Sequence, residues 1–265
     1  VELEIDRLDS YKDLKWGNYQ AGVAYVLQNH GYEICSCDIL YHDTVPLGAG
    51  LSSSAAIEVV MALTLATFSN EAKGITDAVD MIEMAKLSQE AEIVYCGVNC
   101  GIMDQFASVF GKEGSLIRLD CRSLEYSYFP FDPKGYKLVL LNTCVKHALV
   151  GSPYNDRRLS CEHVAEVIKE KYPEVESLRD ANFDMLEEVK EQLKPEDYSR
   201  AKYVIGEVVR VLDVCDALEA GDYETVGARM YETHWGMSKD YEVSCEELDF
   251  LATITKECGV TGSRI

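Results

Sequence analysis

The segment 46–56 constrains the fold of this chain more than any other, because a glycine- and serine-rich loop there runs directly into an apolar stretch. Its sequence is PLGAGLSSSAA, and the apolar run 57–68 follows without a break. A loop followed by serines and then by helix-forming residues is typical of a helix N-terminus. We therefore predict a loop that ends in the first turn of a long helix.

This loop has the composition of an anion-binding cradle. Gly48 and Gly50 allow backbone N–H groups to approach a ligand closely, the hydroxyls of residues 52–54 add donors, and the helix end supplies about half a positive charge. The net charge of the chain is −21, and residues 46–69 include no lysine or arginine, so an anion site here depends on backbone dipoles. The alternative is a connection that only caps the helix. The paired glycines and the serine triplet favour the anion site, and a polyphosphate is the ligand that suits it.

Two common phosphate-binding motifs do not fit this loop. A P-loop needs a lysine directly after its last glycine, and none follows Gly50. A dinucleotide-binding motif needs a third glycine, where Ser53 stands, and an acidic residue about 20 residues further on at the end of a second strand. In this chain the end of the predicted helix, rather than the end of a second strand, lies at that distance.

Composition limits the class of protein. The 265 residues are 47% hydrophobic and include 18 Gly and 6 Pro, which excludes a disordered or collagen-like chain. With 46 acidic and 25 basic residues, the chain is expected to bind neither nucleic acid nor a membrane. Ten cysteines without a C-x-x-C pair and five scattered histidines argue against a disulfide framework and a zinc site, and favour reduced thiols in the cytoplasm. The apolar part of segment 46–69 is too short for a membrane span of about 20 residues.

Hydrophobic periodicity predicts strands and helices in mixed order, with helices dominating the second half. This order predicts an α+β fold with two domains, which we place at residues 1–134 and 135–265 because the segment 132–135 is turn-forming. The predicted strands are 2–8, 33–44, 115–120, 125–131 and 136–142. The predicted helices are 16–27, 57–68, 76–94, 102–110, 157–171, 182–192, 197–219, 223–235 and 245–258.

Three further positions are candidates for chemistry. Asp104 follows a glycine at the start of a short apolar helix, where the helix dipole stabilises a carboxylate; taken alone, it fits a helix cap better than a catalyst. Glu92 lies in the last turns of a predicted helix, where an exposed surface glutamate is the default interpretation. Tyr154 and Asn155 precede a helix and fit either a sugar site or a surface turn.

Taken together, these segments resemble a known family of enzymes. The loop 46–56 resembles the central ATP-binding motif of the GHMP small-molecule kinases. The resemblance is narrower, to the galactokinase branch of that family, in the segments 100–105, 120–125, 152–158 and 240–248. It covers nearly the whole chain, from Trp16 to Ile265.

The resemblance implies a fold, a reaction and a set of site residues. The implied fold has an N-terminal domain like domain 2 of ribosomal protein S5 and a ferredoxin-like C-terminal domain, with the active site between them. The implied reaction is that of a galactokinase, which uses ATP and Mg²⁺ to phosphorylate the C1 hydroxyl of galactose. By position, the resemblance assigns ATP to Gly48, Ala49, Gly50, Leu51, Ser52, Ser53 and Ser54, Mg²⁺ to Ser54 and Glu92, galactose to Gly101, Asp104 and Tyr154, and catalysis to Asp104.

The chain departs from galactokinases at both ends. The early sugar-binding motif is absent, as is the late glycine-rich motif that would follow Ile265, and Val1 is not an initiator methionine. We therefore expect a piece of a longer protein that is inactive in isolation, and a monomer. Because the early motif carries much of the sugar specificity, two alternatives stay open. One is a kinase for N-acetylgalactosamine or another monosaccharide, and the other is a non-catalytic sensor of galactose and ATP.

Overall fold

The structure, a computed structural model, describes residues 1–145 and 154–265, without the side chains of residues 154 and 155. The described chain divides into two compact units, Val1–Tyr128 and Phe129–Ile265. This division falls a short way before the boundary after Lys134 that the sequence predicts, which stays a prediction.

Helices dominate both units. In the first unit the helices are α1 (Gly17–Asn29), α2 (Ser53–Ala72), α3 (Met81–Val94) and α4 (Met103–Phe110), with a 3₁₀ helix at Ile5–Ser10. Strands β1 (Ser115–Leu119) and β2 (Tyr126–Pro130) pair as a two-stranded sheet. In the second unit the helices are α5 (Tyr154–Lys169), α6 (Phe183–Val189), α7 (Pro195–Ala220), α8 (Tyr223–Lys239) and α9 (Glu246–Glu257), with 3₁₀ helices at Leu178–Asp180 and Lys190–Gln192.

The first unit is built around α2. Helices α1, α3 and α4 each pack against it, and α3 also packs against α1 and α4. Leu27, Leu65 and Met84 are fully buried where α1, α2 and α3 meet. Burial of large apolar side chains at such a junction stabilises each helix by about 1.5–3 kcal/mol per side chain. The core therefore holds the start of α2, where the glycine–serine loop enters, in a fixed position.

The sheet is a hairpin whose turn contains one of the segments that carries the family resemblance. The Oδ1 atom of Asp120 accepts hydrogen bonds from the N–H groups of Arg122 and Ser123 at 2.8 and 3.1 Å. Leu124 has a φ of 61°, in the left-handed region. An aspartate that binds the backbone two residues on is a common device for a tight turn, so this segment shapes the hairpin.

Three of the predicted strands are wrong. Of the segment 2–8, the part from Ile5 onward is a 3₁₀ helix, while 33–44 and 136–142 carry no regular structure. The alternating or apolar sequences of these segments do suit strands. A strand also needs a neighbour for its backbone N–H and C=O groups, and within the described residues none of the three has one.

The predicted helices are present, with shifted ends. Helix α3 begins at Met81 rather than at residue 76, because the Asp80 side chain accepts hydrogen bonds from the N–H groups of Ile82 and Glu83 at 2.8 and 3.1 Å. That side chain caps the helix. Helix α2 has 20 residues, more than the apolar run predicted, and its length and composition would allow it to cross a membrane. Of the most apolar 18-residue stretch of α2, 44% is buried inside the first unit. A helix in the core of that unit therefore has the same apolar composition without crossing a membrane.

The second unit packs α5, α6 and α7 around a separate core. Val164, Ile168, Leu186 and Ile205 are almost completely buried there. Helix α8 packs against α7, and α9 packs against α8. All ten cysteines of the chain lie in the described residues and are free thiols.

Candidate active site

The loop before α2 has a left-handed residue at every second position. Gly48, Gly50 and Ser52 have φ values of 68°, 72° and 57°. Alternation of left- and right-handed residues turns successive backbone N–H groups toward one side and forms an anion-binding nest. Within the described chain nothing lies within 4 Å of where a Cβ would stand at Gly48 or Gly50. The space beside both glycines is therefore open.

The start of α2 adds further donors to this nest. The first helical N–H group with a partner inside the helix is that of Ala56, which bonds the carbonyl of Ser52 at 3.1 Å. The N–H groups of Ser53, Ser54 and Ala55 precede it and have no acceptor one turn back in the helix. They carry the positive end of the helix dipole toward the loop.

The alternative interpretation, a loop that only caps the helix, does not describe this geometry. Ser52 is the N-cap residue of α2, and its side chain makes no capping hydrogen bond within the described structure. A left-handed conformation at a serine costs about 1–2 kcal/mol. This conformation gives α2 no cap, so the anion nest is its better explanation.

Three helices bring a buried polar cluster together beside the loop. Glu58 of α2 and Gln105 of α4 are fully buried, and Glu92 of α3 is 5% exposed. The Nε2 atom of Gln105 donates hydrogen bonds to Oε2 of Glu92 at 2.8 Å and to Oε2 of Glu58 at 3.1 Å. The Sγ atom of Cys100 donates to the same oxygen of Glu92 at 3.5 Å. The surface glutamate expected from the sequence alone at position 92 is therefore a wrong interpretation.

Burial governs the protonation of the two acids. Desolvation raises the pKa of Glu58 strongly, and the neighbouring Glu92 raises it further. Desolvation also raises the pKa of Glu92, while hydrogen bonds from Cys100, Gln105 and Ser54 oppose the shift because they favour the charged form. Glu92 therefore holds a negative charge more easily than Glu58.

The predicted metal ligands and the predicted catalytic acid are neighbours in this cluster. The hydroxyl of Ser54 is close enough to the carboxylate of Glu92 to lower its pKa, and the charge of Asp104 is close enough to raise it. Ser54 and Glu58 are four residues apart on α2, so they share a helix face. The structure thus brings together Ser54, Glu92 and Asp104, as the sequence interpretation requires.

Asp104 is exposed in the first turn of α4, and Gly101 is exposed just before that helix. The N-cap position of α4 is Ile102, with no side-chain cap, and within the described residues no hydrogen bond joins Asp104 to a backbone N–H group. The helix-cap interpretation of Asp104 therefore finds no support. Its carboxylate is available to a ligand and lies at the favourable end of the helix dipole.

Tyr154, the remaining predicted sugar ligand, begins α5, and its side chain lies outside the described residues. The segment 146–153, which includes His147, also lies outside them.

Comparison with known proteins identifies the family. The model of the GHMP kinases N terminal domain matches residues 18–112, which contain the nest and the acidic cluster. A galactokinase of Thermotoga maritima is 39% identical over 267 residues, and the match covers all of this chain and 71% of the relative. A galactokinase of Clostridium beijerinckii is 40% identical over 269 residues, and the chain covers 67% of it. This chain belongs to the galactokinase family of the GHMP kinases.

A solved structure supports the same family. The galactokinase of Lactococcus lactis, crystallised in complex with galactose, superimposes with a TM-score of 0.86 at 30% sequence identity. The match covers all of this chain and 67% of that one. The predicted α+β GHMP kinase fold is confirmed, as is the predicted class of enzyme, a sugar kinase that transfers a phosphoryl group to an alcohol. Membership of the galactokinase family implies ATP as the phosphoryl donor.

Sequence reasoning missed several residues of this galactokinase-family site. Gln105 ends the segment 100–105 that carries the family resemblance, but no role was assigned to it. Glu58 interrupts an apolar run in which a buried acid is unexpected. Desolvation raises the pKa of Cys96 and of Cys100 to about 12, so both thiols stay protonated and are poor nucleophiles. Tyr19 of α1 is near the cluster: burial raises its pKa, and the charge of Glu92 raises it further.

The oxygen donors of the cluster fit Mg²⁺. One hydroxyl and one carboxylate, with the remaining positions left to phosphate oxygens and water, form the donor set that Mg²⁺ prefers in phosphoryl-transfer enzymes. Within the described residues no group of three or more His, Cys, Asp or Glu side chains could bind a metal unaided. The donor set therefore suits a metal that arrives with a nucleotide.

Proposed function

We propose that this galactokinase-family chain transfers the γ-phosphoryl group of ATP to the C1 hydroxyl of galactose. The observation that carries the proposal is the nest at Gly48, Gly50 and Ser52, which lies at the start of α2, where Ser54 is close enough to Glu92 to lower its pKa. The relatives at about 40% identity are galactokinases, and the similar solved structure holds galactose. Together they favour galactose as the acceptor.

The phosphates of ATP would bind to backbone amides rather than to cations. The nest and the N–H groups of the first turn of α2 would supply the donors, because segment 46–69 has no lysine or arginine. Fixed amide dipoles stabilise charge that builds up in a transition state, because they need no reorganisation when it forms. We assign residues 48–54 to this role.

Ser54 and Glu92 would hold the Mg²⁺ that accompanies ATP. When bound, the metal neutralises charge on the β- and γ-phosphate oxygens. The buried carboxylate of Glu92 accepts hydrogen bonds from Gln105 and Cys100. The hydroxyl of Ser54 stands in the first turn of α2, beside the amides that would hold the phosphates.

Asp104 and Gly101 would bind the sugar. Phosphoryl transfer proceeds through a loose transition state, so alignment of the attacking hydroxyl contributes much of the rate. The exposed carboxylate of Asp104 would accept a hydrogen bond from that hydroxyl and orient it. Tyr154 is proposed as a further sugar ligand on the family resemblance alone.

That the protein is a monomer and lies in the cytoplasm stays a prediction.

The test is turnover of the intact protein with ATP and a panel of monosaccharides that includes galactose and N-acetylgalactosamine. We expect ADP release with galactose, a product with phosphate on C1 by ³¹P nuclear magnetic resonance, and loss of turnover after chelation of Mg²⁺. Faster turnover of another sugar would replace galactose as the substrate. Binding of galactose and ATP without ADP release would overturn the kinase assignment and indicate a sensor.

A further inference from the structure

We propose that Gln105 is a positioning residue, whose side-chain amide fixes the carboxylate of Glu92 in the orientation that binds the metal–nucleotide complex. The inference rests on the proposed function, because it takes Glu92 as a metal ligand. It adds a role for a residue on α4 that touches neither nucleotide nor sugar in that proposal.

The contacts of Gln105 carry the first step. Its Nε2 atom is 2.8 Å from Oε2 of Glu92 and 3.1 Å from Oε2 of Glu58, and its side chain is fully buried. An amide nitrogen has two N–H groups, so one donor serves each acid. The single amide therefore links α2, α3 and α4 at one point.

The orientation of the Gln105 amide carries the second step. Within the described residues, the Oε1 atom of Gln105 has no hydrogen-bond partner, and neither does Oε1 of Glu58. A buried amide oxygen without a partner is costly, by about 1–3 kcal/mol. The side chain keeps this orientation because its nitrogen satisfies two acids, which fixes the amide against a flip.

The buried position of Glu92 carries the third step. Glu92 is 5% exposed, and its Oε2 atom accepts hydrogen bonds from Nε2 of Gln105 at 2.8 Å and from Sγ of Cys100 at 3.5 Å. Without the amide, the carboxylate would keep only the longer of these two hydrogen bonds and would be free to rotate. Groups that hold a metal ligand in place typically change metal affinity about 10–100-fold when removed. Gln105 is such a group for Glu92.

The experiment replaces Gln105 with methionine, which keeps the length of the side chain and removes both hydrogen bonds. Mn²⁺ serves as the probe, and electron paramagnetic resonance counts Mn²⁺ bound to the intact protein with ADP. We expect Gln105→Met to weaken Mn²⁺ binding in the presence of ADP about 10-fold or more. Binding of ADP without metal and the KM for the sugar should stay unchanged.

Two controls separate positioning from a loss of packing. Gln20 of α1 is also buried in the first unit, and its side-chain amide has no hydrogen-bond partner there, so Gln20→Met inserts the same side chain without removing a hydrogen bond to Glu92. It should leave Mn²⁺ binding unchanged. In a Glu92→Ala background, Gln105→Met should have no further effect on Mn²⁺, because the residue that it positions is gone.

The outcomes distinguish this inference from the proposed function. If Glu92→Ala weakens Mn²⁺ binding and Gln105→Met does not, the positioning role is wrong and the metal assignment stands. An equal loss in both Gln105 variants, with and without Glu92, also overturns it. If Glu92→Ala itself leaves Mn²⁺ binding unchanged, the metal assignment of the proposed function fails.

Discussion

Glu58 on α2 and Glu92 on α3 accept hydrogen bonds from the same nitrogen, Nε2 of Gln105, at 3.1 and 2.8 Å. Two buried carboxylates that share one donor nitrogen lie so close together that they cannot both be ionised at low cost. Glu92 has additional hydrogen bonds from Cys100 and Ser54, which stabilise its charged form, whereas Glu58 has no such support. Burial therefore disfavours the charged form of Glu58 more than that of Glu92, whose charge is the better stabilised of the two.

Replacing Asp104 with asparagine tests the catalytic assignment. Asparagine keeps the size of the side chain and removes the charge that orients the sugar hydroxyl. We expect kcat to fall about 10²-fold or more, with ATP binding nearly unchanged. The measurement is steady-state turnover with galactose, beside calorimetric binding of ATP. Asp77→Asn, at an exposed position outside the cluster, is the control and should behave as the parent protein. Unchanged turnover in the Asp104 variant would remove this residue from the mechanism.

Replacing Gly50 with alanine tests the nest. Gly50 has a φ of 72° and Gly74, at the end of α2, has a φ of 68°, and the space beside both is open. Alanine at either position therefore costs a similar amount of stability, about 1–2 kcal/mol, through backbone strain. Only Gly50→Ala places a methyl group where the phosphates would bind. We expect nucleotide affinity to fall in that variant and to stay unchanged in Gly74→Ala, as measured by calorimetry beside thermal unfolding. Equal affinities in the two variants would contradict the nest as the ATP site.

The loop and its helix were predictable because their signal is local. Glycines that adopt positive φ, serines and a following apolar run are all read from one segment, 46–68. The burial of Glu58 and Glu92 was not predictable in this way, because it depends on which helices pack together. A glutamate in the last turns of a helix is exposed or buried according to its neighbours, and here those neighbours are α2 and α4.

The failed strand predictions show a second limit of sequence patterns. The apolar run 138–141 suits a buried strand, yet its side chains are 53–70% exposed and no described strand pairs with it. The pattern of polar and apolar residues indicates which face of a strand would be buried. The strand itself forms only where another strand pairs with its backbone. The predicted strands 115–120 and 125–131 are present as β1 and β2, and each has its partner close by in the sequence.

His234 of α8 gives the second unit a dependence on pH. Burial lowers the pKa of His234, although the nearby carboxylate of Asp249, at 3.2 Å from Nε2, opposes the shift. Lys239 lowers it further. The unfolded chain therefore binds more protons at this residue than the folded chain, so stability is lost as the pH falls below the ordinary histidine pKa of about 6.5.

We expect His234→Gln to reduce this loss of stability, as measured by urea unfolding between pH 7.5 and pH 5. The pKa of Asp249 is lowered, because hydrogen bonds from Ser238 and Ser244 outweigh the effect of burial. Its contribution to stability is lost only at more acidic pH, near and below 3.8, so the two groups are separable. An unchanged slope between pH 7.5 and pH 5 in the variant would contradict the assignment to His234. His163→Gln, at a histidine with an exposed side chain on α5, is the control and should keep the slope of the parent.

Replacement of glycine by alanine should have opposite effects on stability at Gly227 of α8 and at Gly206 of α7. A Cβ at Gly227 would lie against the backbone carbonyl of Thr261, which cannot move as a flexible side chain could. For a Cβ at Gly206 the nearest atom would be a side-chain nitrogen of Arg210 at 3.6 Å, an ordinary van der Waals distance. Because alanine favours a helix over glycine, Gly206→Ala should raise the free energy of unfolding by about 0.5–1 kcal/mol. Gly227→Ala should lower it by about 1–3 kcal/mol, since the helix must shift. Thermal or urea unfolding of the two variants measures the difference, and a stabilised Gly227→Ala protein would show that the C-terminal segment does not pack on α8 in this way.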